Sequence, residues 1–230
     1  MNPKVFQTEL DARISRYDLL THPFNEAWSE GKLTREHLRA YALEYFHLVA
    51  AIPTFLSALH CRLDDGALRR AVLRNLADAE VEGRAHTDMW LDFAEGLGLS
   101  PNQVRRSQPS APVRHLIERF YRSASQDSPV EVLAAIYAYA SQVPRVCGEK
   151  ARALLQHYGA DAGTCGYFVL HTYAGVRHAT VWRSELLRLV ARNEPLEASA
   201  LEAAGRAAEW LWQALDGCQA YRLGERCMTA

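Results

Sequence analysis

The stretch YFVLHTYAGVRH (Tyr167–His178) decides how this chain is read. Its apolar and aromatic residues recur at three- and four-residue spacing, the period of an amphipathic helix. On that helix His171, Gly175 and His178 stand at i, i+4 and i+7, which share one face. Two imidazoles therefore flank a position that carries no side chain. A second stretch, NLADAEVEGRAHTDMW (Asn75–Trp90), sets Ala79 and His86 seven apart, with Glu82 one helical turn before His86. A third, AAIYAYASQVPRV (Ala134–Val146), carries Ala140. Long helices with inward-turned faces are the elements of a bundle, where metal sites are built from side chains on facing helices. Spacing alone leaves a metal site open beside the ordinary reading of each imidazole as a hydrogen-bonded core residue. His22, His37, His60, His115 and His157 need no special role.

Working outward, the pattern predicts helices nearly throughout and no long alternating run. The first spans Pro3–Tyr17. A short one follows over His22–Ser29, with Thr21 as N-cap and Pro23 in its first turn. The next starts after Thr34 and continues to Leu63 with a kink at Pro53. A single helix of about thirty residues is predicted over Ala67–Gly96, closed by GLGLSPNQ. Ala111–Ser125 follows. Ser128 and Pro129 then open a helix that runs to Tyr158 and bends at Pro144. GADAGTCG (159–166) reads as a loop, Tyr167–Arg192 as helix, NEP as a break, Leu196–Leu215 as the last helix, and 216–230 as a loose tail.

The 230 residues fit one domain, with 49% hydrophobic and 23% charged residues. A net charge of -1 gives no field that favours nucleic acid or an acidic membrane, and Arg105–Arg106 reads as a solvated face. No apolar run reads as bilayer-spanning, and MNPKVFQTELDARISRYD lacks the apolar core of a signal peptide. Cys61, Cys147, Cys165, Cys218 and Cys227 form no CxxC pair, which points to reduced thiols in a cytoplasm. Cys147 and Cys165 are conceivable nucleophiles that nothing singles out. No phosphate loop, HExxH or GxSxG is present. Tyr41, Tyr45, Phe46, Tyr137 and Tyr139 read as core, although hydroxyls in a bundle interior can line a pocket.

Together the segments GKLTREHLRAYALEYF, FLSALHCRLDD, NLAD, GLGL, YAYASQVPRVCGEK and YFVLHTYAGVRHA resemble the CADD-type proteins (Chlamydia protein associating with death domains). These belong to the heme-oxygenase-like superfamily that also holds PqqC and TenA. The likeness runs from about Leu20 to Leu187. It implies an all-α fold, a single heme-oxygenase-like bundle of seven to eight helices, often a homodimer. Oxidoreductases of the family use two irons and O₂, and CADD-type members are linked to para-aminobenzoate formation.

Carried over residue by residue, the resemblance shows a loss. Ala79 and Ala140 stand where the family has iron-binding Glu, and Gly175 where it has Asp. His86, His171 and His178 match the family's imidazole ligands. Asn25 replaces a Tyr, and Lys150 matches a Lys. Without bridging anions two cations a few ångströms apart repel, so a conventional di-iron centre is not expected. The set implies one iron or other divalent metal on His86, His171 and His178, or no metal. Glu82 is the best-placed replacement carboxylate by helix phase, ahead of Glu80 and Asp78. Lys150, Tyr41 and Tyr45 are the remaining catalytic candidates. Three functions stay open. One is an O₂-using oxidoreductase with an altered three-histidine site, acting on a small biosynthetic intermediate. Another is a metal-free PqqC-like oxidase with histidines as acid and base. The third is a non-catalytic partner or ligand-binding scaffold.

Overall fold

A computed structural model describes residues 2–191, 193 and 195–224. Among these residues the chain is helical without strands: α1 (Pro3–Ser15), a 3₁₀ turn (Leu19–Thr21), α2 (Pro23–Ser29), α3 (Arg35–Cys61), α4 (Ala67–Glu80), α5 (His86–Gly96), α6 (Pro101–Arg106), α7 (Ala111–Gln126), α8 (Pro129–Ala140), α9 (Val143–His157), α10 (Ala162–Val190) and α11 (Leu196–Arg222). The number of segments exceeds seven or eight because two expected helices are each divided and α6 adds a short one. The core pairs are α8 with α11, α9 with α10, and α3 with α4, α5 and α7, while α10 also packs on α5 and α8.

The expected Ala67–Gly96 helix breaks after Glu80. The Val81 and Glu82 amides both return to the Ala77 carbonyl, and Gly83 takes φ +78°, which favours glycine. Asp88 in the first turn of α5 then complements its dipole. Ala79 and His86 are thus not neighbours on one helix but lie on two. The expected bend at Pro144 is a full break, because α8 ends at Ala140 and Pro144 falls in the first turn of α9, where its missing N–H is harmless. Gln142 ties this break to the N-terminus, its Oε1 accepting from the Leu19 amide at 2.9 Å. By contrast, α3 runs through Pro53 as one element.

The helix caps follow local chemistry. Thr34 and Ser128 each form a capping box, with His37 and Glu131. Thr21 does not cap α2; the His22 imidazole does, its Nδ1 accepting from the Phe24 amide at 3.1 Å. The segment 159–166 is not wholly loop, since Asp161 caps α10 by accepting from the Thr164 amide at 2.8 Å. Nor is 216–224 loose. Helix α11 continues to Arg222 with Cys218 buried, while 225–230 lie outside the described residues. One expectation about hydropathy also changes: α3 holds an 18-residue window of mean hydropathy 1.4, enough by length and composition to cross a bilayer. Its burial against α4, α5, α7 and α11 accounts for that apolar content as core.

Candidate functional site

His86 opens α5, and His171 and His178 lie on the middle of α10. The structure brings all three to one cavity of about 70 Å³, together with Ala79 from α4, Ala140 from α8 and Gly175 from α10. All six positions singled out from the sequence therefore meet. Most of the remaining wall is apolar, with Leu48, Ile52, Phe55 and Leu56 from α3, Phe120 from α7, and Trp182 from α10. Its other polar side chains are Asn75, which the sequence does not mark, and Tyr139, one of the tyrosines read as core whose hydroxyls can line a pocket.

Each imidazole has a distinct setting. His171 is 8% exposed, its ring stacked on Tyr167 at 4.1 Å between centroids and 4.4 Å from the His86 ring. Its Nδ1 lies 2.8 Å from the Tyr167 carbonyl oxygen. A carbonyl only accepts, so Nδ1 carries the proton and Nε2 keeps its lone pair. His178 Nε2 lies 2.6 Å from Asp78 Oδ2, and since the carboxylate only accepts, Nε2–H is the donor. Burial pushes His171 down to about 3, with the neighbouring His86 adding to the shift, and burial pushes His86 down to about 4. Both rings are therefore neutral around pH 7. Burial pushes Asp78 up, but hydrogen bonds from His178 and Glu82 and the Arg177 charge hold it below its ordinary value.

Glu82 does not line the cavity. It is exposed, outside the cavity, and its carboxyl is raised by a hydrogen bond and charge repulsion from Asp78. The helix break at residues 81–85 is what swings it away from His86. Among the described residues no three His, Cys, Asp or Glu side chains stand together closely enough to hold a metal ion. The three imidazoles share a cavity without sharing a coordination point.

The donor set does not fit two irons. No carboxylate lines the cavity, whereas hard cations require oxygen donors. At Gly175 the space for one is also narrowed: an added Cβ would meet Pro144 Cγ at 3.1 Å and Val143 Cγ1 at 3.5 Å. The ring of Pro144 would have to give before an acid could stand there.

Lys150, Tyr41 and Tyr45 do not reach this cavity. Lys150 Nζ is buried without a hydrogen-bond partner, 3.9 Å from the ring centroids of both Trp28 and Tyr41. Burial pushes it down to about 7. Tyr41 stacks on Tyr45 at 4.4 Å, and burial raises both phenols well above their ordinary value. Asn25, buried nearby on α2, donates from Nδ2 to the Leu19 carbonyl, but its Oδ1 is unpartnered.

Residues 11–213 match the TENA/THI-4/PQQC family. The chain is 38% identical over 186 residues to a 4-aminobenzoate synthase of Chlamydia pneumoniae, covering 81% of this chain and 83% of the relative. It is 30% identical over 174 residues to a pyrroloquinoline-quinone synthase of Granulibacter bethesdensis, covering 73% and 67%. Its fold matches a heme-oxygenase-like domain from Shewanella denitrificans with a TM-score of 0.81 at 17% identity, covering 98% of this chain and 95% of the other. The chain belongs to the TENA/THI-4/PQQC family and has its heme-oxygenase-like fold.

Proposed function

We propose that this family member is an O₂-using oxidase of a small biosynthetic intermediate, working without a di-iron centre. The observation that carries the reading is the single apolar cavity in which His86, His171 and His178 meet the three positions without carboxylates. Names borne by relatives, 4-aminobenzoate synthase and pyrroloquinoline-quinone synthase, support biosynthetic oxidation of a small molecule.

Dioxygen is small, uncharged and weakly polar, and an apolar pocket of this size suits it. The intermediate would supply two electrons and two protons, and O₂ would leave as H₂O₂, so the step balances without a metal. Neutral imidazoles fit the proton side of that exchange. His171 offers a lone pair at Nε2, and Tyr167 holds its ring in place. His178 is oriented by Asp78, which accepts its Nε2–H and would stabilise an imidazolium there.

The test is oxygen uptake by chelator-treated protein with a panel of reduced aromatic and quinol acids, H₂O₂ being assayed in parallel. Uptake matched by H₂O₂, unaffected by chelation and abolished in His171→Ala, is the expected result. Uptake that appears only after Fe(II) is added would replace the reading with a metal-dependent one. No uptake with any compound, in a protein that still binds small ligands, would favour the non-catalytic scaffold.

A further inference from the structure

Dioxygen becomes an anion as it takes up electrons, and an anion beside an apolar wall needs a hydrogen-bond donor. The His171 N–H is given to the Tyr167 carbonyl, and the His178 Nε2–H to Asp78. Three other side chains on the cavity wall carry a donor: Asn75, His86 and Tyr139. Asn75 also borders a pocket that opens to the surface, where water competes for its amide. Burial keeps His86 neutral around pH 7, and a neutral imidazole gives up its remaining proton far less readily than a phenol does.

Tyr139 is the donor that the fold holds in place. It stands one residue before Ala140, where α8 ends, and both residues face the cavity. Its hydroxyl has one hydrogen-bond partner among the described residues, the Tyr167 hydroxyl. Tyr167 is itself buried and stacked on the His171 ring at 4.1 Å between centroids. Burial raises both phenols above their ordinary value, so both are protonated at pH 7. Their contact adds to the rise at Tyr167 and opposes it at Tyr139, as expected when Tyr167 donates and Tyr139 accepts. The Tyr139 O–H is then left for the cavity. A hydroxyl that accepts one hydrogen bond donates the next more strongly.

We infer that Tyr139 is a further catalytic residue, the donor that holds dioxygen while it is reduced. Its role in turnover rests on the oxidase reading above; its reach into the cavity does not. The intermediate loses two electrons and two protons. The electrons pass to O₂ in turn, making superoxide and then peroxide, and the two protons arrive through the imidazoles to give H₂O₂. Tyr139 donates to the oxygen throughout, and any proton it lends returns from an imidazolium, so it ends as phenol. Without this donor, superoxide leaves after one electron. Two O₂ are then consumed, and two superoxide ions released, for each intermediate oxidised.

The experiment compares chelator-treated wild type with Tyr139→Phe and with Tyr137→Phe, whose hydroxyl reaches Asp11 at 3.2 Å and does not line the cavity. Oxygen uptake is followed with a compound that wild type oxidises, H₂O₂ is assayed, and superoxide is read by cytochrome c reduction. Tyr139→Phe should lower kcat roughly tenfold or more with KM little changed, and should release superoxide in place of H₂O₂. Tyr137→Phe should behave as wild type. Incorporating 3-fluorotyrosine at position 139, which keeps the shape and donates more strongly, should preserve H₂O₂ as the product; this separates loss of the donor from misfolding. A second measurement needs no turnover. H₂O₂ titrated into ¹⁵N-histidine-labelled protein should move the His171 Nε2 signal, and should bind Tyr139→Phe about threefold or more weakly. Unchanged kcat and product in Tyr139→Phe, the same losses in Tyr137→Phe, an equal H₂O₂ response in wild type and Tyr139→Phe, or no response in wild type would each overturn the proposal. If Tyr139-dependent H₂O₂ binding holds while no compound supports oxygen uptake, the oxidase reading falls and the donor stands.

Discussion

The histidine cavity and the Lys150 cage are both buried, and both hold basic groups whose charged form is disfavoured, yet they treat those groups differently. In the cavity, His171 and His178 each give one N–H to an oxygen and border about 70 Å³ of space, and His171 keeps a lone pair at Nε2. In the cage, the Lys150 amine meets only ring faces, and its Nζ has no hydrogen-bond partner. Room and free lone pairs belong to a site arranged for a guest. A filled cage with an orphaned amine belongs to packing that tolerates a polar atom. The difference sets how each region should respond to change.

The largest effect of a single substitution is expected in the cage. Trp28 is fully buried and in ring contact with Phe24, Tyr41, Phe93, Tyr158 and Phe168. Trp28→Ala should cost about 3–5 kcal/mol in urea denaturation, the usual range for a large core aromatic. A loss under about 1 kcal/mol would mean that the cage is not tightly packed.

Lys150→Met should act the other way, stabilising by about 1–3 kcal/mol at pH 7, because an apolar side chain of similar length replaces an amine with no partner. The pH dependence gives an independent check. The folded-state value is about 7 against an ordinary 10.5, so between these the unfolded chain binds the extra proton. Stability should therefore rise with pH over that window, and the rise should be flattened in Lys150→Met. Destabilisation by this substitution would show that the amine has a partner when folded.

On the acid side the cavity responds. His86 and His171 fall to about 4 and about 3 from an ordinary 6.5. Below pH 6.5 the unfolded chain takes up protons that the folded one refuses, so stability should fall as pH drops from 6.5 towards 4. After discounting for partial exposure of His86, the two together should remove about 3–6 kcal/mol. The double variant His86→Gln, His171→Gln should lose most of that dependence. An unchanged acid limb would assign it to other groups.

The smallest stability change is expected for His171→Ala, under about 1 kcal/mol, since the polar groups left in the cavity, Asn75, His86, Tyr139 and His178, can hold a water in place of the ring. A loss of 3 kcal/mol or more, on the scale of core truncations, would make His171 a packing residue and blur the contrast with the cage.

Residues within one helix were the most legible part of the site. His171, Gly175 and His178 lie on α10, where a period of 3.6 alone places them together. Ala79 and His86 meet for a different reason. Their seven-residue spacing suggests one helix face, but Gly83 ends that helix, and the packing of α4 and α5 against α10 brings them to the cavity. Family register located them; helix phase did not, and it misplaced Glu82. The Asp78–His178 hydrogen bond joins residues a hundred apart and leaves no trace in local spacing. At the C-terminus, the stretch that begins DGC reads as a loose tail, which puts Gly217 beyond the last helix. In the fold Gly217 lets α11 pass close to α7, where an added Cβ would sit 3.1 Å from Ser110 Oγ and 3.2 Å from Pro112 Cγ. A close approach and a helix end call for the same residue, and only tertiary packing separates them.

The central claim is that this cavity no longer holds a pair of irons, and anaerobic Fe(II) titration tests it most directly. Protein is loaded with excess Fe(II) under argon, desalted, and assayed for iron per chain. The account predicts no stoichiometric iron retained in the wild type. Two tightly bound irons per chain would contradict it.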